Sequence, residues 1–161
     1  MFRSVDFVMA LATLTQSGYS VRPLHEKLGY EPGSTIAFVA LPADLSALAS
    51  SVDFGKVAKR QDWSRPLGPT TYDAIHAFTK DRAELTAGLP KLRKYLNSDG
   101  MIWISWPKKS SKVSTDITED TVREIVLPLG LVDNKVCAIT DVWSGLRVVW
   151  RKELRTQSMP T

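Results

Sequence analysis

Residues 135–151 read KVCAITDVWSGLRVVWR. Two runs rich in β-branched and aromatic residues, Lys135–Asp141 and Leu146–Arg151, flank the bend Val142-Trp143-Ser144-Gly145. That bend is far shorter than the crossover of about a dozen residues that parallel strands need, so the two runs form an antiparallel hairpin. Upstream lie three apolar runs: Thr35–Leu41 (TIAFVAL), Tyr72–Phe78 (YDAIHAF) and Met101–Trp106 (MIWISW). Uninterrupted apolarity marks strands covered on both faces, as in a parallel sheet. Lys56–Arg60 has a fainter strand pattern.

Helical patterns separate these runs. Pro23 to Leu28, ahead of Gly29, predicts one or two turns. Pro42-Ala43-Asp44 opens a helix to about Ser51. Asp81 stands three residues before Glu84, the spacing of a reciprocal capping box. Leu85, Leu89, Leu92 and Leu96 follow at helical spacing, and Pro90 predicts a kink or restart. Asn97-Ser98-Asp99-Gly100 predicts a turn. A further helix spans about Glu119 to Leu129, with Asp116 and Glu119 as a cap pair. Strands alternating with helices imply right-handed crossovers. The expected fold is α/β: a small doubly wound, mostly parallel sheet of about six strands with a C-terminal antiparallel hairpin.

The 161 residues fit one domain. Residues 1–17 read as an N-terminal extension with a short helix, 18–152 as a single α/β domain and 153–161 as a frayed tail. Phe7–Leu14 is far short of the ~20 residues that span a bilayer. Arg3 alone, followed by Asp6, does not make a signal peptide. Cys137, the single cysteine, cannot form an internal disulfide and reads as a buried strand thiol; the expected location is cytoplasmic. The net charge is +4, shared evenly between residues 1–100 (12 basic, 10 acidic) and 101–161 (9 basic, 7 acidic). No concentrated cationic face follows, so nucleic acid ranks last among partners. His25 and His76 have no ligand partners at a recognisable spacing, which excludes a metal motif.

The order of elements resembles the Rossmann-like methyltransferases, which use S-adenosylmethionine. Leu89-Pro90-Lys91-Leu92-Arg93-Lys94-Tyr95-Leu96-Asn97-Ser98-Asp99-Gly100 is similar to their late helix and turn, and the hairpin to their reversed last strand. Three other stretches carry a second likeness. They are Gly18-Tyr19-Ser20 with Pro23-Leu24 and Lys27-Leu28-Gly29; Trp106-Pro107-Lys108-Lys109 with Thr115-Asp116 and Thr118-Glu119-Asp120; and Gly130 to Ala138 with Trp143-Ser144-Gly145-Leu146. These resemble a bacterial family of uncharacterised proteins, a domain of unknown function. That resemblance implies a fold and brings no assigned site.

The methyltransferase pattern implies a glycine-rich turn after the first strand and an acid ending the second. Here the first strand ends Ala40-Leu41-Pro42-Ala43-Asp44, with no glycine between Gly33 and Gly55. Side chains crowd that turn, and proline removes a donor. The second strand ends near Lys59-Arg60-Gln61, with Asp62 as a loose candidate acid.

In open α/β sheets ligands bind beyond the carboxyl ends of the parallel strands. The candidate ligand-binding residues there are Trp106, Lys108, Lys109, Lys112, Thr115, Thr118, Trp143 and Ser144. Cations beside a helix N-terminus suit an anion, and indoles suit a flat ring. Asp116, Glu119 and Asp120 read as helix caps rather than an acid/base group. Two functions stay open. The first is a non-catalytic methyltransferase-like domain that binds a small anionic ligand or a protein partner and no cofactor. The second is an S-adenosylmethionine-dependent methyltransferase with an atypical cofactor loop. The crowded turn leans toward the first, and no residue is assigned a catalytic role.

Overall fold

The apolar runs become neighbours in one sheet. A computed structural model describes residues 22–157. Its strands are β1 (Thr35–Val39), β2 (Lys56–Arg60), β3 (Tyr72–Phe78), β4 (Leu96–Pro107), β5 (Leu131–Ala138) and β6 (Trp143–Trp150), in the order β2-β1-β3-β4-β6-β5. The α-helices are α1 (Leu24–Lys27), α2 (Arg82–Leu92), α3 (Glu119–Val126) and α4 (Lys152–Gln157). β1 to β4 pair in parallel, and β6 runs antiparallel to both β4 and β5. This is the expected doubly wound sheet closed by a hairpin. The short helix expected within 1–17, the stretch Gly18-Tyr19-Ser20 and the last four positions of the tail, 158–161, lie outside the described residues. Positions 152–157 of the expected frayed end form α4.

Alternation along each strand explains why both faces are apolar. Ala37, Val39, Ile75, Ala77, Ile102 and Ile104 face α2 and α3. Ile36, Phe38, Ala74, Phe78 and Trp103 face Leu28, beside α1, and Leu45 and Leu48 of a 3-10 helix, Ala43–Ser50. A fully buried side chain of this size contributes ~1.5–3 kcal/mol, so two covered faces supply the main stabilisation.

The connections place the ligand crevice. The Ala43–Ser50 helix carries β1 to β2 across one face. Residues 61–71 return across the other, with Trp63 and Leu67 buried there, and deliver the chain to the opposite side of β1. The strand order therefore reverses between β1 and β3, the kind of switch point at whose carboxyl ends open α/β sheets bind ligands.

Several local expectations need correction. Asp81 makes no side-chain cap bond. Thr79 Oγ1 instead accepts the Asp81 N–H (3.1 Å) and donates to Glu84 Oε1 (2.6 Å). Asp116 does not cap α3; its Oδ1 accepts the Arg82 N–H of α2 (2.7 Å). Thr118 caps α3, accepting the Thr121 N–H at 3.2 Å while Thr121 Oγ1 accepts the Thr118 N–H at 3.1 Å. In each case a hydroxyl or a tertiary neighbour reaches the orphan N–H groups first. Residues 97–100 are an irregular part of β4, not a turn. Tyr72 pairs with Leu96 and Ala74 with Met101, so two steps along β3 match five along β4. Asn97 Nδ2 donates to Asp73 Oδ1 (2.8 Å) and steadies that bulge. Pro90 sits inside an uninterrupted α2, which passes into a 3-10 turn, Arg93–Tyr95.

Gly88 of α2 makes room for the Trp63 indole, since a Cβ there would stand 2.4 Å from Trp63 Cε3. The indole N–H is bonded to Phe78 O (2.8 Å), so the ring is not free to swing away. Alanine gains ~1 kcal/mol of helix propensity over glycine. Overpacking costs ~1–3 kcal/mol and the strained hydrogen bond about 1 more. Gly88→Ala is therefore expected to destabilise the fold by about 1–3 kcal/mol in urea denaturation; an unchanged midpoint would contradict this packing.

Candidate functional site

At the end of β1 the Ala40 N–H donates to Arg60 O (2.8 Å), and Ala40 turns with φ at 58°. This is the left-handed conformation that glycine favours, and alanine enters it with the smallest Cβ-bearing side chain. A crevice of about 210 Å³ follows, lined by Leu41, Pro42, Ala43, Ser46, Lys59 and Arg60 among others. The Arg60 guanidinium is turned aside: Nε donates to Pro66 O (2.8 Å) and Nη1 to Lys59 O (2.9 Å). Just past β2, the exposed Asp62 carboxylate accepts the Ser64 hydroxyl and the Ser64 N–H (2.9 Å). Those bonds hold its pKa below the usual carboxylate value.

Past β3 the same rim of the sheet is tied down. Thr79, just beyond β3, is buried and donates its N–H to Ser105 O (3.0 Å). Residues 108–118 then fold back across the rim. Lys108 N–H donates to Val142 O (2.7 Å), fixing one end, and Thr115 Oγ1 donates to Lys80 O (2.8 Å), fixing the other. Lys112 takes a left-handed φ of 64° within this loop. Among the described residues Lys80, Lys108, Lys109 and Lys112 make no side-chain hydrogen bond or ion pair.

The sequence-derived residues are distributed as follows. Lys108, Lys109, Lys112 and Thr115 share this strap. The Trp106-Pro107 corner and the Trp143-Ser144 corner are neighbours, paired Pro107 to Trp143 and Trp106 to Ser144. Their indoles point to opposite faces, because neighbouring ladder positions alternate. Trp106 is buried with Val39 and Ala77 beneath the α2–α3 layer. Trp143 is half-buried on the other face, edge-on to Phe78 with ring centroids 5.3 Å apart. Thr118 is occupied as the α3 cap. Among the described residues no three His, Cys, Asp or Glu side chains gather as a metal site. Cys137 is buried in β5, and burial raises its thiol pKa.

Sequence reasoning missed a buried polar chain that links β3 and β4. The Tyr30 hydroxyl is hydrogen-bonded to His76 Nδ1 (2.6 Å), and His76 Nε2 to Ser105 Oγ (2.7 Å). The imidazole is fully buried and stacks on Phe78 at 4.3 Å. Desolvation lowers its pKa from 6.5 to about 3, so it is neutral at physiological pH. The available signal was a polar residue inside each of two apolar strands, His76 in YDAIHAF and Ser105 in MIWISW. A larger hollow of about 410 Å³ opens at the opposite rim, beside Asp73, Met101 and Arg147. Two of its polar side chains are already engaged. Asp73 accepts from Thr35 N–H and Asn97, and Arg147 donates to Asn134 and lies over the Trp103 ring.

No family model matches the chain, and no curated protein sequence matches it. Solved structures do match its fold. Magnesium protoporphyrin IX methyltransferase from Synechocystis PCC 6803 with bound SAH (S-adenosylhomocysteine) superposes with a TM-score of 0.57 at 12% identity, over 79% of this chain and 78% of that one. The same enzyme with bound SAM (S-adenosylmethionine) gives 0.56 at 14% identity, over 80% and 74%. A TehB-like SAM-dependent methyltransferase from Corynebacterium glutamicum gives 0.57 at 10% identity, over 91% and 97%. The chain has a methyltransferase-like α/β fold. The expectation of a domain without a cofactor is corrected by these neighbours, two of which are described with SAM or SAH bound. The physical reason lies at Ala40. The turn keeps a glycine-like backbone without a glycine, so the missing residue type did not mean a missing turn.

The unfolded chain protonates His76 near pH 6.5 and the folded chain only near 3. Between those values the unfolded state binds more protons, so stability present above 6.5 is lost as pH falls, by up to ~1.4 kcal/mol per unit. His76→Gln is expected to flatten this slope in urea denaturation between pH 7 and 4 (a range set by the two pKa values). An identical slope in both proteins would contradict the buried neutral imidazole.

Proposed function

We propose that this chain is an S-adenosylmethionine-dependent methyltransferase whose cofactor sits over the carboxyl ends of β1 and β2, against the switch point between β1 and β3. The left-handed turn at Ala40 carries this reading. It brings main chain to the mouth of the crevice with only a methyl group in the way. The crevice of about 210 Å³ is smaller than the ~300–1,000 Å³ of whole-ligand pockets. It would take one end of the molecule and leave the rest along the open rim toward Thr79. The residues present fit such a group: Leu41 and Pro42 supply an apolar wall, and Asp62 is an ionised acceptor for hydroxyls just past β2.

When bound, S-adenosylmethionine would supply an electrophilic methyl group to an acceptor lone pair, with its sulfur keeping the bonding pair and the acceptor's proton going to solvent. This chain's residues orient the two molecules rather than do covalent work. The ties Thr79–Ser105 and Trp63–Phe78 hold the carboxyl end of β3 in place beside the switch point. The three stretches similar to an uncharacterised bacterial family support placing the chain there as well. Among the described residues no helix is long and apolar enough to cross a membrane. A buried, unpaired thiol supports a reducing, cytoplasmic setting. A second reading, ligand binding without turnover, is favoured by the crowding of Leu41 and Pro42 at the turn.

Isothermal titration with S-adenosylmethionine and S-adenosylhomocysteine tests the proposal. Binding of both is expected, retained in Ala40→Gly. It should be weakened about tenfold or more (~1.4 kcal/mol) in Ala40→Val, whose branched side chain resists a positive φ. No heat from either ligand with the wild-type chain would remove the reading.

A further inference from the structure

The rim beside the crevice carries a charge that the fold does not use. Some cations of this protein are paired, Arg123 with Glu119, Asp120 and Asp133 and Arg82 with Glu124, while exposed lysines such as Lys59, Lys91 and Lys94 are not. Lys80, Lys108, Lys109 and Lys112 have no such partners among the described residues. Two carboxylates of this region are engaged by the scaffold, Asp116 by the Arg82 N–H and Glu84 by the Thr79 hydroxyl. Nor can the lysines move apart freely. The strap that bears three of them is fastened to Val142 at one end and to Lys80 at the other, and Lys112 is held there in a left-handed conformation. Non-glycine residues in that conformation persist where the surrounding structure over-determines them, and such positions cluster at ligand clamps. Across the corner, Trp143 is opposite Pro107 in the ladder and leaves part of its indole uncovered.

We infer that the methyl acceptor is an aromatic compound bearing a carboxylate or phosphate, its anion held by Lys108, Lys109 and Lys112 and its ring against Trp143. This rests on the methyltransferase reading and gives it a substrate class. A sulfonium beside four unpaired ammonium groups is electrostatically unfavourable. An anionic acceptor between them removes that repulsion and is drawn to the rim by the same field. The half-exposed indole accounts for the ring, since flat aromatic groups stack on such faces. The anion is the anchor, and the atom that accepts the methyl group lies on the ring side, toward the crevice.

The test titrates the full chain, with and without S-adenosylhomocysteine, against 4-hydroxybenzoate, phenyl phosphate and neutral 4-hydroxybenzamide. Tryptophan fluorescence and calorimetry are the readouts. One or both anions should bind at least tenfold more tightly than the amide, and which one binds distinguishes carboxylate from phosphate (~1.4 kcal/mol per tenfold). The variant Lys108→Gln/Lys109→Gln/Lys112→Gln should lose at least that factor while its heat with S-adenosylhomocysteine is unchanged. Trp143→Phe should lose the fluorescence response. Equal binding of the amide, undiminished anion binding by the triple variant, or inorganic phosphate binding as tightly as phenyl phosphate would overturn the inference. Homocysteine-product binding without anion binding sinks this inference alone. Anion binding without any cofactor heat sinks the cofactor reading and leaves the lysine site standing.

Discussion

The pairing of β1 with β3 is the constraint from which the rest of the molecule follows. Val39 lies beside Ala77 in that ladder, and β2 is on the far side of β1. To reach β3 the chain must cross back over β1, which it does through residues 61–71. Two strands whose connections depart on opposite faces cannot close over their shared carboxyl end. The switch point is therefore a product of topology, and the side chains around it only decide what enters.

What keeps that opening in shape is the satisfaction of main-chain groups at the rim. Trp63 takes the Phe78 carbonyl, Thr79 the Ser105 carbonyl, Thr115 the Lys80 carbonyl and Lys108 the Val142 carbonyl. Losing the Trp63 or the Thr79 bond leaves a buried carbonyl unpaired, at about 1–3 kcal/mol each. The floor is different in character. Tyr30, His76 and Ser105 form a neutral chain in an aromatic layer with Phe38, Phe78 and Trp103. Every polar atom there has a partner, so the network orders the layer without a buried charge.

The strands were legible in the sequence because both-face burial leaves continuous apolar runs, and β3 matches its run residue for residue. The hairpin was legible because Val142 to Gly145 cannot hold a crossover. Asp81 and Asp116 were misassigned because local spacing cannot see a tertiary donor: Asp116 caps a helix that begins 34 positions earlier. The bulge at 97–100 looked like a turn because Asn, Ser, Asp and Gly serve both, and only the strand register separates them. Within the candidate site, placement of the lysine strap followed from the rule for parallel sheets. The side on which each indole falls did not, since Trp106 and Trp143 are separated by a hairpin whose register the sequence leaves open. The turn at Ala40 was hidden for another reason. Composition reports which residue stands there, whereas cofactor access depends on the φ it adopts.

The central claim is that a nucleoside-bearing cofactor lies over the end of β1. Crystals of the chain grown with S-adenosylhomocysteine test it most directly. The account predicts density for the ligand against Ala40, Leu41 and Pro42, reaching toward Thr79. Density confined to the opposite hollow near Asp73, Met101 and Arg147, with the β1 crevice filled by its own side chains, would contradict it.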